Sequence, residues 1–258
     1  MTQISGLVIT LNEAHNIVDC LRSMKTVCDD IVVVDSGSSD GTVELARQEG
    51  ATVIIQVPFL GDGPQRSHGL PHCRHAWVLN LDADERLEQD LIDYIRRTDL
   101  DSLGVDLVET RRRNYIGQRF TPYAGQYPDY VKRLFNRLKA DFTPVTAHTY
   151  IQASSFIRIN AHIIHYSYRD YPDMVVKCKY AGWLARHLAE SNKPLHVWQP
   201  VAHGTWAFIR HYFVKAGFLA GLDGLTLSIC KGLGSYLKYA NAIEIRRSRL
   251  VRKMTNTG

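Results

Sequence analysis

Asp82, Asp84 and Glu85 close the run Trp77-Val78-Leu79-Asn80-Leu81-Asp82-Ala83-Asp84-Glu85, and their spacing defines what they can do. Two carboxylates two positions apart, with only alanine between them, can converge on one hard cation. Mg²⁺ and Mn²⁺ favour such oxygen ligands and bridge them to substrate phosphates. An isolated Asp-x-Asp is more often an acidic turn opening a helix. Here, however, apolar β-formers run up to Leu81. The carboxylates should therefore emerge at the carboxyl edge of a sheet, where open α/β folds bind ligands.

Three earlier segments must build that sheet. Residues 6–10 are a short apolar run followed by Leu11-Asn12-Glu13 and a helical pattern of Ile17, Val18, Leu21 and Met24. Ile31-Val32-Val33-Val34 ends in Asp35-Ser36-Gly37-Ser38-Ser39-Asp40-Gly41, ahead of a helix through Val43, Leu45 and Ala46. Residues 52–57 form a third strand leading through Gly61-Asp62-Gly63-Pro64 into a helix from Gln65 to Cys73. Alternating strands and helices predict a parallel sheet with helices on both faces and right-handed crossovers. Strands over 105–110 and 150–159 should complete it, with an aromatic loop from Tyr115 to Tyr130 between them.

The loops narrow the ligand. The turn after the first strand, Thr10-Leu11-Asn12-Glu13, has no glycine to admit a pyrophosphate, which argues against a dinucleotide fold, and no Walker sequence is present. A nucleotide site built from strand-end side chains and a metal remains. Asp35 can accept from a base N–H and Thr10 can meet the same base; Asp40, before Gly41-Thr42, reads as an ordinary helix cap. Arg111-Arg112-Arg113 reads as a solvated charge run.

The motifs Leu7-Val8-Ile9-Thr10-Leu11-Asn12-Glu13, 31–42, Gln65-Arg66 and Leu81-Asp82-Ala83-Asp84-Glu85 together resemble the inverting family 2 glycosyltransferases of GT-A fold. Arg133-Leu134-Phe135, His165-Tyr166-Ser167-Tyr168 and 212–221 resemble its bacterial lipopolysaccharide-core subgroup, which includes β-1,4-glucosyltransferases acting on inner-core heptose. The resemblance implies a Rossmann-like, mostly parallel α/β sheet flanked by helices, with a helical C-terminal extension. It implies a UDP-sugar donor, glucose before others, and a lipid-anchored saccharide acceptor. Asp84 would ligate Mg²⁺ or Mn²⁺ and Asp82 the ribose or the ion's shell; Arg66 would meet the diphosphate. Thr10, Asn12, Glu13 and Asp35 would hold the nucleotide, and Arg133, His148 and His165 would approach acceptor or diphosphate. The chain departs from the subgroup at Thr149, where Glu is usual, and at Ala220, where Asp is usual. An inverting transfer needs a base for the acceptor hydroxyl. Asp129, between an aromatic cluster and the Arg133 motif, is the first choice, ahead of Asp141, Asp170 and Asp173. A polyprenyl phosphate acceptor, which needs no strong base, and a non-catalytic nucleotide-sugar binder are the alternatives.

Charge divides the chain. Residues 1–100 carry 8 Lys and Arg against 16 Asp and Glu, net −8, whereas 101–258 carry 23 against 10, net +13. The acidic half and the lack of any nucleic-acid module argue against DNA or RNA. A basic second half suits an anionic acceptor or membrane surface. From Trp206 to Tyr239 the chain is aromatic and apolar, with fifteen residues from Ala216 to Cys230 too few to span a bilayer of about 20 residues, so interfacial docking is expected. Arg246, Arg247, Arg249, Arg252 and Lys253 form a basic tail suited to anionic lipid. The expected division is a nucleotide-sugar-binding and catalytic domain over 1–165 and a helical, basic acceptor or membrane region over 166–258. Five scattered cysteines suggest a reducing compartment without disulfide frame or zinc site, and because Met1-Thr2-Gln3 leads straight into an expected core strand, no signal peptide is expected. The location expected is the cytoplasmic face of a bacterial inner membrane.

Overall fold

The computed structural model describes residues 2–143, 150–178 and 181–255. Its first part is β1 Ile4–Thr10, α1 Ile17–Met24, β2 Asp30–Asp35, α2 Thr42–Gln48, β3 Thr52–Ile55, α3 Asp62–Gly69 and β4 Trp77–Asp82. Then come β5 Glu85–Leu87, α4 Gln89–Arg97, β6 Leu107–Ile116, β7 Arg119–Phe120, β8 Asp129–Asn136, β9 Asp141–Phe142, β10 Ile151–Gln152 and β11 Phe156–Tyr168. The chain turns helical afterwards, through α5 Tyr171–Lys177, α6 Ala181–Glu190, α7 Gln199–Ile209 and α8 Gly221–Thr255.

Strand order in the main sheet is β3-β2-β1-β4-β8-β6-β11-β5. β3, β2, β1 and β4 pair in parallel. β8 joins β4 antiparallel, β6 joins β8 antiparallel, and β5 pairs antiparallel with β11. The GT-A-type α/β class holds, a helix-flanked mixed sheet whose parallel pairing lies in its first half. Connections explain the change: α1, α2 and α3 lie in the crossovers from β1 to β4, and parallel neighbours need such crossovers, whereas later strands can double back.

Neighbouring residues of one strand face opposite sides. Leu7, Val32, Val34, Val78 and Phe135 pack in one apolar cluster; Val8, Val33, Leu79, Leu81 and Leu134 pack in another. Covering both faces is why these strands read as continuous apolar runs. α1 buries Ile17, Cys20, Leu21 and Met24, the i, i+3, i+4, i+7 stripe of an amphipathic helix. α3 approaches the sheet so closely that a Cβ on Gly69 would lie 2.5 Å from Leu7 Cδ1 and 2.7 Å from Val34 Cγ2. Only glycine permits that approach, and it fixes where Arg66, one turn earlier, can reach.

Two compact units divide the chain, Met1–Arg113 with Pro128–His165, and Asn114–Tyr127 with Tyr166–Gly258. The second unit thus takes in the aromatic segment 114–127 as well as the residues after 165. Within it, α7 and α8 approach through glycines: a Cβ on Gly204 would lie 3.1 Å from Tyr236 Cβ, and one on Gly232 would lie 3.0 Å from the Gly204 carbonyl oxygen. Arg246 donates to the carbonyls of Ala189 (2.9 Å), Lys193 (2.8 Å), Leu188 (3.3 Å) and Ser191, and Arg249 pairs with Glu190 at 3.1 Å. These two arginines of the basic tail therefore satisfy carbonyls and charge at the end of α6, which would otherwise lack partners.

Candidate active site

The carboxyl ends of β1 and β2 are bound to each other by side chains. Asn12 adopts a left-handed backbone (φ 55°), which asparagine tolerates better than most residues, and its Oδ1 accepts from Ser39 N at 2.9 Å. Ser38 Oγ accepts from Asn12 N, Thr42 Oγ1 from Glu13 N (2.8 Å each) and Asp40 Oδ2 from Ala14 N at 3.1 Å. Asp40, read as a helix cap, thus joins two loops as well as accepting from Thr42. Glu13 accepts from Asn16 Nδ2 at 2.8 Å. Asp35 is fully buried and accepts from Gly37 N, Ser38 N and Ser38 Oγ at 2.5–2.8 Å. Those three bonds fall short of the about four that a carboxylate can accept. The buried Thr10 Oγ1 has no hydrogen-bond partner in the structure, although native proteins rarely leave such atoms orphaned. Thr10 and Asp35 sit side by side in the β1–β2 register, at the carboxyl ends of both strands.

At the end of β4 the acids meet arginines. Asp82 accepts from Arg66 and, at 2.5 Å, from Arg133 Nη2. Arg133 also reaches Glu85 Oε1 at 2.6 Å, and Arg112 Nη1 reaches the same oxygen at 2.8 Å. Arg112 continues to Asp129 at 2.8 Å. Asn80, its amide assigned with oxygen toward the guanidiniums, accepts from Arg66 Nε and Arg133 Nη1 at 3.2 Å. The result is one chain of alternating charge: Arg66, Asp82, Arg133, Glu85, Arg112, Asp129. Burial opposes ionisation of Asp82, but Arg133 and Arg66 outweigh it and hold its carboxyl well below the usual carboxylate range. Burial likewise works against the Arg133 charge, and Asp82 and Glu85 outweigh it.

Asp84 follows Asp82 by two residues. It lies in the turn between β4 and β5, and its Oδ2 is 3.4 Å from His165 Nε2, brought there by the pairing of His165 with Glu85 across β11 and β5. A carboxylate oxygen and an imidazole nitrogen facing each other, each side chain less than one-fifth exposed, form a donor set that a divalent cation can use. A second such grouping exists at Glu88, Asp90 and His162, whose ligand atoms lie within 4.8 Å of one another. There His162 Nδ1 already meets Asp90 Oδ2 at 2.5 Å and Glu88 takes Arg113.

A cavity of about 490 Å³ opens beside the arginine chain, lined by Arg66, Asp82, Arg112, Tyr130, Arg133 and Phe142 among others. Asp129 begins β8 opposite Arg112. Of the other base candidates, Asp141 is exposed and accepts from Phe142 N, Asp170 caps α5 by accepting from Asp173 N, and Asp173 takes Arg169 and Lys177. His148 and Thr149 lie outside the described residues.

One expectation needs correction and one residue was missed. Arg111-Arg112-Arg113 is no solvated run: Arg112 bridges Glu85 and Asp129, Arg113 pairs with Glu88, and the Arg111 guanidinium lies 5.6 Å from the Tyr130 ring centroid. Strand pairing with β8 brings acids within reach of a segment that looks uncompensated in sequence. Glu85, outside the predicted site, is fully buried and receives two guanidiniums and the Asp82 N–H at 3.1 Å. Its one sequence signal was being the third acid after an apolar strand.

Strand-end acids and a buried arginine pair on a helix-flanked mixed sheet fit a sugar-transferring enzyme of GT-A type. The chain belongs to glycosyl transferase family 2, whose model matches residues 5–165. A protein of Rickettsia felis named as an uncharacterized glycosyltransferase is 30% identical over 95% of this chain and 90% of its own. The lipopolysaccharide core biosynthesis glycosyltransferase LpsC of Rhizobium meliloti is 35% identical over 46% of each. Among solved structures, glucosyl-3-phosphoglycerate synthase of Mycobacterium tuberculosis, with Mn²⁺, UDP and glucosyl-3-phosphoglycerate, is 26% identical over 43% of this chain and 44% of its own, at a TM-score of 0.38. TarS of S. aureus is 16% identical over 88% and 55%, at 0.48.

Proposed function

We propose that this glycosyltransferase moves a hexosyl group, glucose before others, from a UDP-sugar to a hydroxyl of a lipid-anchored saccharide such as the inner-core heptose of lipopolysaccharide, with inversion at the anomeric carbon. The observation that carries the donor half is Asp84 facing His165 beside a paired arginine chain, next to an orphaned Thr10 hydroxyl and a partly used Asp35 carboxylate. The acceptor half is supported by the likeness to LpsC over 46% of the chain.

Thr10 and Asp35 hold the base; Asn12 and Glu13 keep the loop around it ordered. Asp84 and His165 would hold Mg²⁺ or Mn²⁺, which when bound neutralises charge on the departing diphosphate. Arg66, held by Asp82, adds a fixed positive charge near the same edge, a preorganised dipole of the kind that favours charge developing on a leaving group. Asp129 takes the proton of the acceptor hydroxyl. If the acceptor is instead a polyprenyl phosphate, its oxygen arrives ionised and Asp129 is not needed.

A thermal-shift panel tests the donor. UDP-glucose with Mn²⁺ at about 100 times its Kd should raise Tm by roughly 5–10 °C, since binding there stabilises by about 2.7 kcal/mol. A GDP-sugar raising Tm while every UDP-sugar fails would overturn the assignment. Asp129→Asn should lower turnover by about 10²-fold and leave UDP-sugar binding unchanged, the share usual for a general base. Its ion pair is partly exposed, so stability should fall by no more than about 1 kcal/mol. Full activity in that variant would support the already ionised acceptor.

A further inference from the structure

The second unit carries an apolar tip that its own packing leaves uncovered. α7 runs on through a π-turn, Arg210–Val214, and a 3₁₀ turn, Gly217–Ala220, precedes α8. No single helix among the described residues is long and apolar enough to cross a membrane, and the two arms, Gln199–Val214 and Gly217–Arg249, meet at a 71° bend. At that bend Phe213, Val214, Phe218, Leu219 and Leu222 are 49–70% exposed. The bend is well built. A Cβ on Gly224 would lie 1.8 Å from the Gly217 carbonyl oxygen, and Ser228 Oγ donates to Gly224 O at 2.7 Å. Ordered backbone therefore holds large apolar side chains out in solvent, which a soluble monomer seldom does without a partner.

Charge identifies the partner. Between Glu190 and Glu244 the sequence has one carboxylate, Asp223, and that one is occupied by Arg119 (2.8 and 2.9 Å) and the Tyr171 hydroxyl (2.6 Å). Arg210, Lys215 and Lys231 supply the cations: Lys215 N donates to the Arg210 carbonyl at 2.9 Å, and burial together with the charges of Arg210 and Lys231 lowers the Lys215 pKa. We propose that this apolar tip, with its collar of Arg210, Lys215 and Lys231, seats in the headgroup layer of an anionic lipid bilayer. The proposal deepens the lipid-anchored acceptor reading above and rests on it, and it moves the contact from the basic tail, where Arg246 and Arg249 are engaged with α6, to the bend. Apolar insertion and cationic attraction are both needed, because either alone anchors only marginally.

Flotation of the full chain with vesicles tests this. Vesicles of phosphatidylglycerol and phosphatidylethanolamine should carry the protein at low salt and release part of it at high salt; phosphatidylcholine vesicles should not carry it. Phe218→Ser with Leu219→Ser should cut partitioning by about tenfold or more, and Arg210→Gln with Lys231→Gln by about thirtyfold. UDP binding with Mn²⁺, measured alongside, should be unchanged in both variants. No flotation with anionic vesicles, or flotation untouched by either pair, overturns the proposal; concentration-dependent dimerisation without lipid binding assigns the face to a second copy. For the wild-type chain, absent flotation with intact UDP binding sinks the lipid contact alone, whereas flotation without UDP binding sinks only the donor reading.

Discussion

Asp84→Asn should lower sugar transfer by about 10²–10³-fold, the loss typical when one group that stabilises developing charge is removed. An amide keeps the shape of the carboxylate but is a poorer ligand for a hard cation. The fold should survive, because Asp84 lies in the turn after β4 and asparagine keeps its size and shape. Calorimetry separates the causes: in the wild-type chain Mn²⁺ should tighten UDP binding, and in the variant it should not. Retained Mn²⁺-dependent UDP affinity would remove the metal from Asp84 and His165.

Glu85→Gln should reduce unfolding free energy by about 3–5 kcal/mol, the cost of breaking a buried ion pair from one side. Glu85 has no exposed side-chain surface and receives Arg133, Arg112 and a backbone N–H. Glutamine would leave two poorly solvated guanidiniums sharing Asp82 and Asp129. Urea unfolding should show a lower midpoint with unchanged m, since the surface exposed on unfolding is the same; near wild-type stability would show that the arginines do not depend on Glu85. The neighbouring Asp82 sets the pH window. Its folded-state carboxyl is held below the unfolded value of about 3.9, so its contribution is complete above about pH 4 and fades only as pH falls toward the lower folded pKa.

β1, β2 and β4 were legible because sheet strands covered on both faces must be apolar throughout, and Ile31-Val32-Val33-Val34 has few other uses; β3, a half-exposed edge strand, was legible from its β-branched run Thr52-Val53-Ile54-Ile55. Asp82 and Asp84 were legible for the same reason, as acids where such a run stops. Glu85 was not. It looks like a continuation of an acidic turn, and what buries it is a β5 of three residues pairing with β11, nearly 80 positions away. Arg112 was misread on similar grounds, since its acids are supplied by β5 and β8 rather than by neighbours in sequence. In the helical region, the apolar and basic composition was visible, but the π-turn and the 3₁₀ turn that expose Phe213 and Leu219 follow from close glycine packing that periodicity does not report.

The loops after β1 and β2 have their amides taken up by side chains: Asn12, Glu13, Ala14, Gly37, Ser38 and Ser39 each donate to a hydroxyl, an amide oxygen or a carboxylate of these two loops, the end of β2 or the start of α2. Fixing a backbone residue costs about 1–2 kcal/mol of entropy, and here that cost belongs to folding. A nucleotide arriving at Thr10 and Asp35 would meet a surface that needs no rearrangement. Encounter at this edge would then be limited by diffusion and orientation, and amide hydrogens in both loops would exchange slowly whether or not a ligand is bound.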